Sequence, residues 1–324
     1  MTEDPFNRIY QLIESDWAES GAWPDFVEIM RQGLAVKRVK STDGDQGLTR
    51  LTLLPGLCCQ AAGGDPLWAD DVAAAWFLFY AAAHIMDSIE DQDQPDPWWA
   101  DLGRGAAINA ATGLYFSASL ALNNLLKHAA TRASATEVIT DFNHNFLVMC
   151  SGQYRDLVSP MPTLEQYWEN AAAKSGAFFS LACRSGARLA TDDALRVRMF
   201  SRFGHHIGLL VQILDDLEDM HPVQRLDLPG RQPELGHSLA VVYALSVYPP
   251  PEQARLRDLL ATARHDLGAA QEALTLIDQS GAALYMAAEI ERHHRQAVEA
   301  LEQAAPQPPA GEALLTLLQK LNPQ

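Results

Sequence analysis

Apolar positions recur along this chain with the 3.6-residue period of helices and hardly anywhere with the two-residue period of strands. In DPFNRIYQLIESDWAES, Phe6, Ile9, Tyr10, Ile13 and Trp17 fall on one helical face, and Asp4-Pro5 supplies a cap and a first-turn proline. Residues 66–92 predict another helix, opening at Pro66 and closing before Pro95 and Pro97. GRGAAINAATGLYFSASLALNNLLKHAA is apolar nearly all round, the pattern of a central helix. Residues 134–158, 163–190, 192–221, 252–280 and 283–304 continue the helical pattern. AVVYALSVY (240–248) is the one tempting strand, and its flanks suit a helix equally well. Turn-like stretches at 40–47, 92–103, 159–163, 221–236 and 305–311 are too short or too unbiased to mark a domain border, and no fixed-period repeat appears. The pattern predicts a single all-α domain over residues 1–324.

Composition narrows what such a chain does. Of 324 residues, 48% are hydrophobic and 20% charged, enough apolar material for a large core and too few charges for a disordered chain or coiled coil. Lys and Arg number 24 against 41 Asp and Glu, so the formal charge is 24 − 41 = −17. That argues against nucleic acid or an anionic membrane surface as a partner. Cys58, Cys59, Cys150 and Cys183 show no C-x-x-C spacing and read as reduced core thiols of a cytoplasmic protein. MTEDPFNRIYQLIESDW has neither the basic nor the apolar segment of a signal peptide. No uninterrupted apolar run reaches the roughly 18 residues of a spanning helix, so no transmembrane segment is expected.

Two acidic clusters carry the chemistry. In HIMDSIEDQD, Asp87 and Asp91 are four residues apart and share a helical face. In GHHIGLLVQILDDLEDMH, Asp215 and Asp219 repeat the spacing, with Asp216 beside them. Like charges at i, i+4 repel by about a few tenths of a kcal/mol, and carboxylates at a helix C-terminus meet the negative end of its dipole. One such cluster reads as a solvated helix end. The same unfavourable arrangement twice, each time behind an apolar helix, points to divalent cations. Oxygen-only ligands suit Mg²⁺, which keeps room for substrate phosphates. Two carboxylate clusters around Mg²⁺ make a site for a diphosphate, and apolar helices behind them line a pocket for its hydrocarbon tail. That combination describes a prenyl diphosphate.

At these residues the sequence resembles the trans-isoprenyl diphosphate synthases, the polyprenyl synthetase family. GHHIGLLVQILDDLED matches the second aspartate-rich motif at Gly208, Gln212, Asp215, Asp216 and Asp219. MDSIED resembles the first D-D-x-x-D, with Ser88 in place of the second Asp. YWENAAAKSGAFF resembles the K-T segment at Lys174 and Ser175, and SGQYRDL a G-Q-x-x-D segment at Gly152, Gln153 and Asp156. The similarities run in order from about residue 44 to 250. The resemblance implies an isoprenoid synthase fold of about ten or more long helices around a deep apolar cavity, a homodimer, and three Mg²⁺ ions bound with the diphosphate through Asp87, Asp91, Asp215, Asp216 and Asp219. Lys174 and Gln212 complete the implied catalytic set. It also implies that the residues before the first Asp, Ala83 and Ala82, lie along the chain tunnel. Both are small, which favours a long substrate of about C15–C25, with Trp76 one turn deeper as a stop.

The departures shape the functional expectation. The G-K-R-x-R-P segment that holds isopentenyl diphosphate reads QGLTRL here, leaving Arg50 while Gly47 and Leu48 replace two cations. Tyr80 stands in a His place, no basic residue follows the first motif before Arg104, and the Lys of the segment beyond the second motif is absent, with Arg225 or Arg231 as its substitute. A diphosphate needs several charge-assisted hydrogen bonds. What remains is the half-site that ionises an allylic diphosphate, with Mg²⁺ and Lys174 neutralising the leaving pyrophosphate. The nearest nucleophile is then a double bond of the same chain, so terpene synthase-type cyclisation is the main expectation. Trp76, Phe79, Tyr80, Phe178 and Phe179 offer aromatic faces to the cation. The alternatives are chain elongation, prenyl transfer to another acceptor, and a catalytically silent partner subunit. A ferritin-like metal bundle would use the Glu-x-x-His spacings Glu218/His221, Glu234/His237 and Glu291/His294, and leaves the Asp pairs and Lys174 unexplained. The His205-His206 and His293-His294 pairs read as exposed or hydrogen-bonded side chains, and Arg292 and Arg295 as a solvated helix face.

Overall fold

The computed structural model describes residues 4–39, 51–91, 97–158, 161–219, 238–263 and 266–321. Gly47, Leu48, Arg50, His221, Arg225, Arg231, Glu234 and His237 lie outside the described residues, as do the side chains of Glu218 and Asp219. In chain order the helices are α1 (Pro5–Glu19), α2 (Pro24–Val39), α3 (Leu54–Ala61), α4 (Asp70–Glu90), α5 (Pro97–Ala100), α6 (Arg104–Asn124), α7 (Arg132–Val158) and α8 (Leu164–Ala171). They continue as α9 (Ala177–Ala190), α10 (Ala194–Asp219), α11 (Leu239–Val247), α12 (Pro250–Ala263), α13 (Leu267–Gln279), α14 (Ala282–Gln303) and α15 (Ala310–Gln319). Among the described residues there is no strand; the ambiguous run at 240–248 is α11.

The helix predicted over 163–190 is continuous from Leu164 to Ala190 and runs in three consecutive parts, α8, a π-helical turn and α9. A capping box starts the first, with Gln166 N donating to Thr163 Oγ1 (3.2 Å) and Thr163 N donating to Gln166 Oε1 (2.9 Å). A π-helical turn, Ala172–Gly176, then separates α8 from α9. The predicted helix over 252–280 is instead two, because Asp266 caps a new start by accepting from Gly268 N (2.8 Å) and Ala269 N (3.2 Å). Helices α2, α3 and α15 carry no pattern that singled them out beforehand.

The described residues form two compact units: residues 1–145, 180–204 and 298–323 in the first, 146–179 and 205–297 in the second. In the first unit, α4 lies along α6. Alanines on both helices, among them Ala74, Ala75 and Ala82 on α4 and Ala107, Ala111 and Ala118 on α6, are buried, and side chains this small let helix axes approach closely. α1 buries Phe6, Ile9, Ile13 and Trp17, the face its sequence predicts; each such side chain contributes about 1.5–3 kcal/mol on burial. The Trp17 indole N–H donates to Ser117 Oγ (2.7 Å), and Arg8 pairs with Asp70 (2.9 Å). Pro66–Glu90 and Arg104–Asn124 are long and apolar enough to cross a membrane by length and composition alone, and they pack on each other. α6 is not central on all sides: Ile108, Phe116 and Leu120 line an exposed face, with Phe116 69% accessible. Cys58, Cys59 and Cys183 are buried free thiols, whereas Cys150, expected in the core, is exposed. Burial beside Cys183 pushes the Cys58 thiol well above its ordinary range.

The second unit packs α8, α11 and α14 residues around a polar-aromatic cluster. Tyr243 stacks on Tyr285 (centroids 4.3 Å), whose hydroxyl accepts from the Trp168 indole N–H (3.0 Å). Arg292 is not simply solvated: it pairs with Glu289 and lies over the Trp168 ring, 5.9 Å from its centroid. His206 and His293 are buried, with their Nδ1 atoms 3.1 Å apart.

Candidate active site

The first acidic cluster ends α4 in the first unit. Asp87 is half-buried, while Asp91 is exposed and caps the helix, its N–H donating to Asp87 O (2.9 Å). With about 100° between successive residues, Trp76, Tyr80 and Ala83 stack beneath Asp87, whereas Ala82 points about 140° away. The solvent exposure agrees: Ala83 and Tyr80 are half-buried and Ala82 is fully buried. Trp76 is buried and stacks on Tyr80 (6.3 Å, 14°). Phe79 packs against Tyr115 (5.3 Å) and Phe142 (6.0 Å) as a core aromatic.

The second unit holds Lys174, Gln212, Asp215 and Asp216. Lys174 rides the π-helical turn with Ser175, and such turns re-aim side chains that a regular helix would place elsewhere. Its Nζ lies 2.8 Å from Asp156 Oδ2, and Asp156 Oδ1 accepts from Asn170 Nδ2 (2.6 Å). Gly152, one turn before Asp156 on α7, makes room for the Lys174 stem: a Cβ there would sit 3.1 Å from Lys174 Cγ. Gly208 on α10 faces the same turn, and a Cβ would collide with the Ser175 carbonyl. One and two turns on, at the i+4 spacing, come Gln212 and Asp216. Ser175 Oγ donates to Gln212 Oε1 (2.8 Å), and Gln212 Nε2 donates to Asp216 Oδ1 (3.2 Å). Asp216 Oδ2 accepts from the Tyr167 hydroxyl (2.6 Å) and from Leu239 N at the start of α11 (2.6 Å). Burial and the Asp216 carboxylate push the Tyr167 phenol well above its ordinary value, so it stays a proton donor. Phe178 and Phe179 follow the turn, both buried, ring edge to ring face (5.6 Å).

Asp156, Asn170 and Tyr167 were not among the predicted site residues. Asp156 had a signal, since it closes the G-Q-x-x-D segment; Asn170 and Tyr167 had none beyond their place four and seven residues before Lys174.

Among the described residues no three His, Cys, Asp or Glu side chains are grouped to hold a metal ion. The donor chemistry still suits a hard cation in part: Asp91 and Asp215 are exposed residues with carboxylate oxygens, and oxygen donors are what Mg²⁺ takes. Asp216 fits less well, being 6% exposed with both oxygens already accepting hydrogen bonds.

Residues 50–277 match the polyprenyl synthetase family. Among curated relatives, a short chain isoprenyl diphosphate synthase of Methanothermobacter thermautotrophicus is 30% identical over 258 residues, 76% of this chain and 77% of the relative. A geranylgeranyl diphosphate synthase of Mycobacterium tuberculosis is 30% identical over 164 residues, 48% of this chain and 46% of the relative, so the chain spans about half the length of that protein. The tryptophan prenyltransferase ComQ of Bacillus subtilis is 22% identical over 74% of this chain and 77% of its own length. In fold, the crystal structure of a geranylgeranyl pyrophosphate synthetase from Pyrococcus horikoshii superposes with a TM-score of 0.79, 21% identity and 99% coverage of both chains.

Proposed function

This chain belongs to the polyprenyl synthetase family, and on that premise we propose that it is a prenyltransferase of the isoprenyl diphosphate synthase type. It ionises an allylic prenyl diphosphate, releases pyrophosphate and joins the prenyl cation to a double bond of a second substrate, which then gives up a proton. One observation carries the reading: the family match over 50–277 takes in both aspartate-rich segments together with Lys174, Ser175 and Gln212.

Asp87, Asp91, Asp215 and Asp219 would hold Mg²⁺, which supplies charge neutralisation to the diphosphate when bound. Lys174, preset by Asp156, adds a cation toward the oxygens on which negative charge grows as the leaving group departs. Ala83 and Tyr80, on the Asp87 face of α4, set the room for the first part of a tail of about C15–C25.

Chain elongation takes the place of the cyclisation expected from the sequence. The case for cyclisation rested on cations missing at given sequence positions, but a fold can bring charge from other positions. Arg50, Arg225 and Arg231 stand in or beside the segments concerned. Relatives named as isoprenyl diphosphate synthases support elongation. A second reading, transfer to an acceptor other than isopentenyl diphosphate, is favoured by the loss of the two cations at Gly47 and Leu48 and by the similarity to a tryptophan prenyltransferase. A homodimer through the exposed Ile108–Phe116–Leu120 face of α6 belongs to the same proposal, as does a reducing, cytoplasmic setting for the buried free thiols.

The test is incubation with geranyl, farnesyl and geranylgeranyl diphosphates and Mg²⁺, each with and without isopentenyl diphosphate. Longer diphosphates formed only with isopentenyl diphosphate support elongation. Hydrocarbon released without it restores cyclisation, and no pyrophosphate release from any substrate overturns the prenyltransferase reading. Asp215→Ala should abolish the activity.

A further inference from the structure

Within the second unit, four side chains form one hydrogen-bonded chain: Tyr167 to Asp216, Asp216 to Gln212, Gln212 to Ser175. We propose that Asp216 is a positioning residue rather than a metal ligand, and that Tyr167 acts through it to hold the Lys174–Ser175 turn in its working geometry. The inference rests on the prenyltransferase reading and deepens it.

Donor directions fix the arrangement. Leu239 N is a backbone donor and can only give its proton to Asp216 Oδ2 (2.6 Å). The Tyr167 hydroxyl, also 2.6 Å from that oxygen, is the second donor. Both lone pairs of Oδ2 in the carboxylate plane are then taken. Oδ1 accepts from Gln212 Nε2 (3.2 Å), which leaves the Gln212 carbonyl pointing at Ser175 Oγ. A metal ion would have to reach Oδ1 beside the Gln212 amide in a residue that is 6% exposed, whereas the adjacent Asp215 is an exposed residue.

The chain ends on the turn that carries the candidate cation. Ser175 follows Lys174 in the π-helical turn, and that turn is seated against Gly208, where no side chain fits. Ser175 is thus fixed from two sides, by Gly208 contact on its carbonyl and by Gln212 on its hydroxyl. Breaking the chain at Asp216 frees the Gln212 amide to rotate and removes one of the two. An Asn at 216 keeps an acceptor for Leu239 N and Tyr167, but its amide N–H₂ would face either Gln212 Nε2 or those two donors. Phe at 167 removes only the hydroxyl and leaves the packing.

The experiment compares Asp216→Asn, Tyr167→Phe, the double variant and Asp215→Asn in the full chain, with two readouts. Calorimetric titration of Mg²⁺ into protein plus inorganic pyrophosphate measures metal binding without turnover. Steady-state pyrophosphate release from the allylic substrate gives kcat, KM and the half-saturating Mg²⁺. Asp216→Asn and Tyr167→Phe should each lower kcat by about tenfold or more, with KM and Mg²⁺ affinity nearly unchanged, and the double variant should be little worse than Asp216→Asn alone. Asp215→Asn should weaken Mg²⁺ binding. If Asp216→Asn weakens Mg²⁺ binding as Asp215→Asn does, or Tyr167→Phe turns over like the wild type, the positioning role is overturned. An inactive wild type that still binds Mg²⁺ and pyrophosphate counts against the prenyltransferase reading, and the calorimetric comparison still decides between ligand and positioning residue. A wild type that binds neither overturns both.

Discussion

Lys174 Nζ and Asp156 Oδ2 lie 2.8 Å apart, an ion pair formed before any substrate arrives. Each side chain is a little over a quarter exposed, 29% and 27%, so the pair is neither a solvent-screened surface contact nor a deeply buried one. Its value lies in orientation. Asp156 is itself held by Asn170, so the ammonium is aimed by a fixed partner. Asp156→Asn should lower kcat by about tenfold, while Lys174→Ala should lower it by about 10²–10³, the loss seen when one charge-stabilising donor is removed. Steady-state pyrophosphate release checks both.

Asp71 gives the fold a pH dependence of one sign. It is 7% exposed, its Oδ1 lies 3.4 Å from Asn124 Nδ2, and His128 stands 3.8 Å away. Burial, with Asp16 and Asp70 adding to it, pushes its carboxyl up to about 6 against the opposing effects of Asn124 and His128. A carboxyl raised above its unfolded value stabilises the fold fully below about pH 4, and that stability is lost as pH rises through about 6. Asp71→Asn should therefore gain about 2–3 kcal/mol over the wild type at pH 8 and nothing at pH 4. Urea midpoints at the two pH values measure the difference.

His293 works in the opposite sense. Burial, followed by Arg292, His206 and His205, lowers its imidazole to about 3. Arg292 donates to His293 Nε2 (3.0 Å), because a guanidinium has no lone pair to accept with. His293 Nδ1 therefore carries the proton and donates it to His206 Nδ1. The stability that the neutral His293 imidazole contributes is full above about 6.5 and is lost as pH falls toward 3. His293→Gln should flatten the acid limb of a melting-temperature profile between pH 6.5 and 4. A variant that loses stability in parallel with the wild type over that range would contradict the assignment.

Gly186 tests close packing away from the proposed chemistry. A Cβ at this position of α9 would run into the Pro55 carbonyl of α3. Gly186→Ala should destabilise by about 1–3 kcal/mol or more through overpacking. Equilibrium urea denaturation should show a lower midpoint at an unchanged slope.

The chain by itself determined the helices and the chemical class. The 3.6-residue spacing of Phe6, Ile9, Ile13 and Trp17 specifies a buried face whatever lies opposite, and Asp4 and Pro5 act within one turn, so helix starts of this kind are local. The i, i+4 aspartates were legible for the same reason: one helix sets their spacing. Tertiary structure decided what local spacing cannot. Nothing in the sequence said that α6 leaves Phe116 exposed, because an apolar residue looks the same on a covered face and on an open one. The predicted continuous helix over 163–190 carries a π-helical turn seated against Gly208, a residue more than thirty positions further along. Tyr167 and Asp216 are forty-nine residues apart and meet at 2.6 Å. Hydrogen bonds between distant residues leave no periodic trace, because their energy depends on where the backbone carries the two groups and not on any spacing between them.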